Sequence, residues 1–102
     1  MPEKGWKYQE RRAARLLNAR RNPHGDPSAP DAENAALAIE VKTKRKLPEW
    51  LVAAVLQSKS KAKKEQLPIV ALLGRDSPID LVVLDLKDYQ EWYVGTPRRQ
   101  RR

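Results

Sequence analysis

From Ala36 to Lys42 the sequence Ala-Leu-Ala-Ile-Glu-Val-Lys alternates with a period of two. In an extended strand, Leu37, Ile39 and Val41 fall on one face, and Ala36, Ala38, Glu40 and Lys42 on the other. The pattern sets a carboxylate and an ammonium side by side on a face whose other residues are only alanines. Two residues of strand rise separate their Cα atoms by roughly 6.5 Å, which lets both groups act on one phosphate and one metal ion. The plainer reading is a half-exposed strand with a solvated outer face. What Glu40 and Lys42 mean therefore depends on what the rest of the chain brings to them.

At 102 residues the chain has room for one modest core. The expected organisation is a single domain over residues 1–95 and a basic, disordered tail over 96–102. There is no cysteine, which excludes a disulfide framework and a cysteine zinc site and fits a reducing compartment. No apolar run approaches the ~18 residues of a membrane span, and Met1-Pro2-Glu3-Lys4 has no signal-peptide pattern. A cytoplasmic location with no membrane partner is expected. The formal net charge of +8 suggests a polyanionic partner, with nucleic acid the first candidate. The charge is concentrated in Arg98, Arg99, Arg101 and Arg102 at the C-terminus and in Lys59, Lys61, Lys63 and Lys64 further back.

Residues 4–19 read as a first helix, with Trp6, Glu10, Ala13 and Leu17 on one stripe. Glu10 thus faces inward and needs a partner or a chemical role. An arginine partner, or a carboxylate that reaches out to solvent, is the alternative to a role in a site. Residues 20–34 hold Pro23, Pro27, Pro30 and Gly25, which break any helix, apart from a short strand near 19–22. So long a loop in a small domain is a candidate for function. It carries His24, the chain's only histidine, with Asp26, Asp31 and Glu33. Asp31 lies just before the central strand, and Asp26, deeper in the loop, competes with it. Residues 48–65 read as a second helix opened by Pro48, with Leu51, Ala54, Val55, Ser58 and Ala62 on its buried stripe and Gln57 on its shoulder. The apolar run 67–73 reads as a strand buried on both sides, and 79–84 as another strand. Asp85 then looks like the cap of a short helix over 86–93, with Trp92 and Tyr93 expected to pack this helix or a dimer interface. The order predicts an α/β fold with one small mixed sheet flanked by helices.

Glu10, Asp31 and Glu40, converging beside Lys42, would repel one another unless a cation joined them. Oxygen ligands suit a hard ion, Mg²⁺ with Mn²⁺ as a substitute. Such an ion polarises a phosphodiester and lowers the pKa of a bound water, and a lysine can orient that water or neutralise charge developing on the phosphate.

Pro30-Asp31, followed nine residues later by Glu40-Val41-Lys42, resembles the PD-(D/E)XK nuclease signature. The chain is most similar there to the small archaeal-type and phage-encoded Holliday junction resolvases. The likeness covers residues 5–94. It includes Glu10 with its following Arg11-Arg12-Ala13-Ala14, the Arg20-Arg21-Asn22-Pro23 segment, the run from Ala38 to Leu51, Gln57, Leu67-Pro68-Ile69-Val70 and Asp88-Tyr89. The resemblance implies a restriction-endonuclease-like core of the α-β-β-β/α-β type. It implies that Asp31 and Glu40 hold the metal, that Glu10 completes the site, that Lys42 assists the attacking water, and that Gln57 orients Lys42 or the water. It also implies a homodimer that cuts opposing strands of a branched double-stranded DNA, in a host cytoplasm where the source is viral. Arg20, Arg21, Lys44, Arg45, Lys59, Lys61, Lys63, Lys64, Arg98 and Arg99 are the residues expected on phosphates. Where the archaeal resolvases have Ser-Gly before the motif aspartate, this chain has His24-Gly25-Asp26, so that either Ser28 substitutes for the serine or its role is absent. Two other readings stand beside this one. The first is a PD-(D/E)XK nuclease that nicks, or that cuts flaps or single strands, since a fold does not fix a substrate. The second is a non-catalytic basic nucleic-acid-binding protein, which makes no use of Glu10.

Overall fold

The computed structural model describes residues 5–23 and 26–95. His24, and the tail over 96–102 with Arg98 and Arg99, lie outside the described residues. The elements run in the order α1 (Trp6–Leu16), β1 (Arg20–Arg21), β2 (Ala32–Glu33), β3 (Ala38–Ile39), α2 (Glu49–Lys61), β4 (Val70–Leu72), β5 (Leu81–Val83) and α3 (Leu86–Gly95). The chain forms two compact units, residues 1–45 and 46–102. No described helix is long and apolar enough to cross a membrane.

In the first unit, α1 stops at Leu16 rather than running on to residue 19. The stop lies in Asn18, whose φ of 54° puts it in the left-handed region that asparagine tolerates better than most residues. The Asn18 N–H then donates to the Arg15 carbonyl at 3.2 Å and the Ala19 N–H to the Ala14 carbonyl at 2.8 Å. This pair of bonds is the Schellman closure, and it turns the chain back along its own helix. The returning strand is β1. It pairs with β2 and β2 with β3, both antiparallel, in the order β1-β2-β3. Asn34 fixes the β2–β3 turn. Its Oδ1 accepts the Ala36 and Leu37 N–H groups at 2.8 Å each, and its Nδ2 donates to the Leu17 carbonyl at 3.1 Å. The buried residues are Ala14, Leu17 and Ala32 with one acid, Glu10, all between α1 and this sheet.

In the second unit β4 and β5 pair antiparallel as a two-stranded ribbon, and α2 packs against β4. The expected face of α2 is the one turned inward: Leu51, Ala54, Val55, Ser58 and Ala62 are all half-buried. Asp85 caps α3, its Oδ1 accepting the Lys87 N–H at 2.8 Å. Tyr89 stacks on Tyr93 at 5.8 Å and meets Trp92 at 6.0 Å, so the aromatics of α3 pack along their own helix.

Helices and strands mix as an α/β reading requires, but two expectations need correction. The described strands form two wholly antiparallel sheets in place of one mixed sheet. A parallel pair needs a crossover of a dozen or more residues, whereas β1, β2 and β3 are joined by direct reversals. The run 67–73 is likewise not buried on both sides. Val70 and Leu72 are half-buried, Ala71 is exposed, and Leu73 is 71 % exposed. With β5 its single partner strand, β4 has one face covered and one open.

Candidate active site

Register builds the site. Arg21, Ala32 and Ile39 form one row across the three-stranded sheet, and Arg20, Glu33 and Ala38 the next. Neighbours across an antiparallel sheet share a face, and successive rows alternate faces. The first row belongs to the inner face, where Ala32 is fully buried. Carried one residue further, the same pairing sets Asn22, Asp31 and Glu40 in a third row, on the outer face. The bonds agree: the Asn22 N–H donates to the Asp31 carbonyl at 2.9 Å. Asp31 Oδ2 accepts the Val41 N–H at 2.7 Å, which ties the loop aspartate to the Glu40-Val41-Lys42 run. The alternation over 36–42 holds as well, with Leu37, Ile39 and Val41 half-buried and Glu40 and Lys42 exposed.

Asp31 and Glu40 line one cleft of about 430 Å³ together with Asn22, Pro23 and the loop residues Asp26, Pro27, Ala29 and Pro30. Asp26 therefore shares the cleft with the aspartate it competes with. Its Oδ1 accepts the Ser28 hydroxyl at 2.7 Å and the Ser28 N–H at 3.1 Å. Those bonds, the hydroxyl first, hold its carboxyl below the ordinary aspartate range. Ser28 is thus the residue that shapes the Asp26 turn. Lys42 is exposed on the Glu40 side of its strand and does not line the cleft.

Glu10 is placed elsewhere. It is 4 % exposed, and its Oε1 accepts the Arg21 Nε–H at 2.9 Å. Arg21 belongs to the inner row, so Glu10 lies under the sheet while Asp31 and Glu40 lie over it. The helical stripe announced that Glu10 is buried; which side of the sheet it would meet depended on a register not yet known. Among the described residues no three or more histidines, cysteines or acids are grouped to hold a metal. Gln57 is exposed on α2, in the second unit.

The expected phosphate-binding residues divide into two sets. Arg21 is held by Glu10 and lies 5.9 Å from the Trp6 ring centroid. Arg20 pairs with Glu33 at 3.0 Å. Lys59 pairs with Asp85 at 2.6 Å and lies 3.3 Å from Asp88. The Asp85 bond holds the Lys59 ammonium above its ordinary range, and the Lys59 bond holds the Asp85 carboxyl below its own. Lys44, Arg45, Lys61, Lys63 and Lys64 are exposed and, among the described residues, make no ion pair.

Two residues of the site are named by the sequence reading but given no role in it. Asn22 Nδ2 donates to the Pro30 carbonyl and to Glu33 Oε2, both at 3.0 Å. Glu33 gathers Arg20 and Asn22 on one oxygen. Their signal is the strand β2, which the prolines around it concealed. Set against protein-family models, curated proteins and solved structures, the chain has no match in any of the three comparisons.

Proposed function

We propose that the chain is a metal-dependent endodeoxyribonuclease of the PD-(D/E)XK type that resolves four-way DNA junctions by paired nicks. It would work as a homodimer in the cytoplasm, on a restriction-endonuclease-like core. The observation that carries this reading is the row Asn22–Asp31–Glu40, with Asp31 bonded to the backbone between Glu40 and Lys42. The spacing noted in the sequence is thereby a spatial neighbourhood.

The donor set fits a hard cation. Mg²⁺ is commonly held by one or two carboxylates, with waters and substrate phosphates completing its shell, and Asp31 and Glu40 supply two in one cleft. Glu10 is not needed as a third. When bound, the ion supplies charge to the scissile phosphate and acidifies a water. The chain's own residues do the rest. Asp31 is fixed by the Val41 N–H. The Lys42 ammonium, two residues from Glu40, balances charge that develops on the phosphate. The Glu10–Arg21 pair holds the sheet to α1 from beneath.

The test is cleavage of a synthetic four-way junction beside a linear duplex of the same arms, in Mg²⁺ and in EDTA. Symmetric, metal-dependent nicks on the junction, lost in Asp31→Asn and Glu40→Gln while binding persists, are the expected result. Equal cutting of the duplex would leave a nuclease of other specificity. Binding without cutting in any divalent metal would leave a nucleic-acid-binding protein.

A further inference from the structure

Trp50 is 59 % exposed and, among the described residues, makes no ring contact and no cation–π contact. The other two tryptophans differ. Trp6 has Lys7 at 5.4 Å and Arg21 at 5.9 Å from its ring, and Trp92 packs on Tyr89. A single exposed apolar side chain is ordinary on a protein surface and does not by itself call for a role.

Its neighbours along α2 supply one. At 100° per residue, Gln57 and Lys61 lie within roughly 20° of the line through Trp50, and Ala53 beside it. All four residues are exposed. The half-buried face of α2, with Leu51, Ala54, Val55 and Ser58, is centred about 90° round the helix from this line, and Lys59, on the far side, is held by Asp85. The stripe therefore begins with an aromatic plane, passes a small residue and an amide, and ends in an ammonium with no ion pair among the described residues. Lys63 and Lys64, both exposed, follow just beyond the helix end. The one acid of α2, Glu49, lies about 100° off the line. From Trp50 to Lys61 the stripe spans about 16 Å.

We propose that this stripe binds a polynucleotide segment with unstacked bases. Trp50 stacks on one base, Gln57 hydrogen-bonds a base edge or sugar, and Lys61 with its flanking lysines takes the phosphates. A π-face next to a positive track is what single-stranded nucleic acid needs: every base offers a stacking surface and every phosphate a charge. A fully stacked duplex hides the first and offers only the second. The proposal rests on the nucleic-acid half of the function given above and is independent of its cleavage chemistry.

The test uses the full chain in EDTA, so that no cleavage enters. Fluorescence anisotropy measures binding to a labelled 20-nucleotide oligo-dT and to a blunt 20-base-pair duplex, each over a range of salt. Trp50→Ala is expected to weaken oligo-dT binding about tenfold at unchanged salt slope, and duplex binding less than twofold. Trp50→Tyr, which keeps an aromatic face, is expected to stay within threefold of the parent on oligo-dT, which separates loss of stacking from loss of folding. Lys61→Ala is expected to reduce the salt slope by about 0.7, the single-strand value for one phosphate. Unchanged oligo-dT affinity in Trp50→Ala, or an equal loss on duplex, overturns the stacking role and leaves the nuclease reading standing. A parent chain that binds neither probe overturns this proposal, and the junction assay decides the nuclease reading separately.

Discussion

Removing the Asn22 side chain deletes its bonds to the Pro30 carbonyl and the Glu33 carboxylate and releases the loop that presents Asp31. Asp31 would keep its bond to the Val41 N–H, so the carboxylate survives but its approach to Glu40 loosens. Loss of a group that orients a metal-binding carboxylate costs 10- to 100-fold in metal affinity. Asn22→Ala is therefore expected to raise the half-saturating Mg²⁺ concentration about tenfold, read by cleavage and, independently, by Mn²⁺ titration calorimetry. Asn34→Ala is the matched control. It also loses amide bonds to loop backbone, at a turn away from the acids. An equal shift in both variants would reduce Asn22 to a stabilising residue. Glu10 gives a second prediction of the opposite kind. Breaking a largely buried ion pair from one side costs about 3 kcal/mol. Glu10→Gln should lower stability in urea by about that amount while leaving the Mg²⁺ requirement where it was. A raised requirement would return Glu10 to the metal. The sequence disclosed that Glu10 faces inward, that Asp31 and Glu40 belong together, and that Glu40 and Lys42 share a face. It could not disclose the role of Asn22, because a short strand near 19–22 says nothing of the residues beside it until its pairing with β2 is known.

Elements with a strong local signal formed where periodicity put them. The inner stripe of α2, the Asp85 cap of α3 and the two faces of the 36–42 run follow from residue spacing alone, although only Ala38–Ile39 of that run is strand. What spacing does not contain is which strand pairs with which. β2 is two residues long between a proline-rich loop and a turn, and it nevertheless sits at the centre of its sheet. The contact joining α2 to the start of α3 was equally hidden, because Lys59 in sequence is one lysine of a run. In the fold it bonds Asp85 and lies near Asp88, and the pH dependence of that link has a definite sign. Asp85 titrates below its ordinary 3.8, so the link is at full strength above that value and is lost as pH falls through the folded one. Lys59 titrates above its ordinary 10.5, so the link is at full strength below that value and is lost as pH rises through the folded one. Thermal stability from this source should be flat from about pH 4 to about pH 10 and fall outside it. Lys59→Met should lower the melting temperature within the plateau and shrink the fall on the acid side. The same variant should change the salt slope of DNA binding less than Lys61→Ala does. Equal slopes would mean that Lys59 leaves its acids for phosphate.

Over the whole chain, apolar pattern and burial part company. Ile69, Leu73, Ile79 and Val82 are 47, 71, 64 and 62 % exposed, although the runs that hold them read as strands for a core. A run of apolar residues records what water disfavours, not what covers it, and a two-stranded ribbon has only one helix-covered face to offer. Charge is easier to follow at this scale, because screening and counterion release depend on how many cations reach phosphate and little on fold. Of the cations expected on phosphate, Arg20, Arg21 and Lys59 face acids, while Lys44, Arg45, Lys61, Lys63 and Lys64 make no ion pair among the described residues. The arginines at 98, 99, 101 and 102 then take a larger share of the remaining attraction for DNA than their number suggests. Each phosphate neutralised contributes about 0.9 to the slope of log affinity against log salt on duplex DNA. Deleting residues 97–102 is therefore expected to flatten that slope by up to about 3.6 and to weaken binding most at low salt. With enzyme saturating, the single-turnover cleavage rate should not change, since Asp31, Glu40 and Lys42 are untouched. A slower rate at saturation would place the tail in the chemistry, and an unchanged slope would mean that the folded lysines alone carry the phosphate contacts.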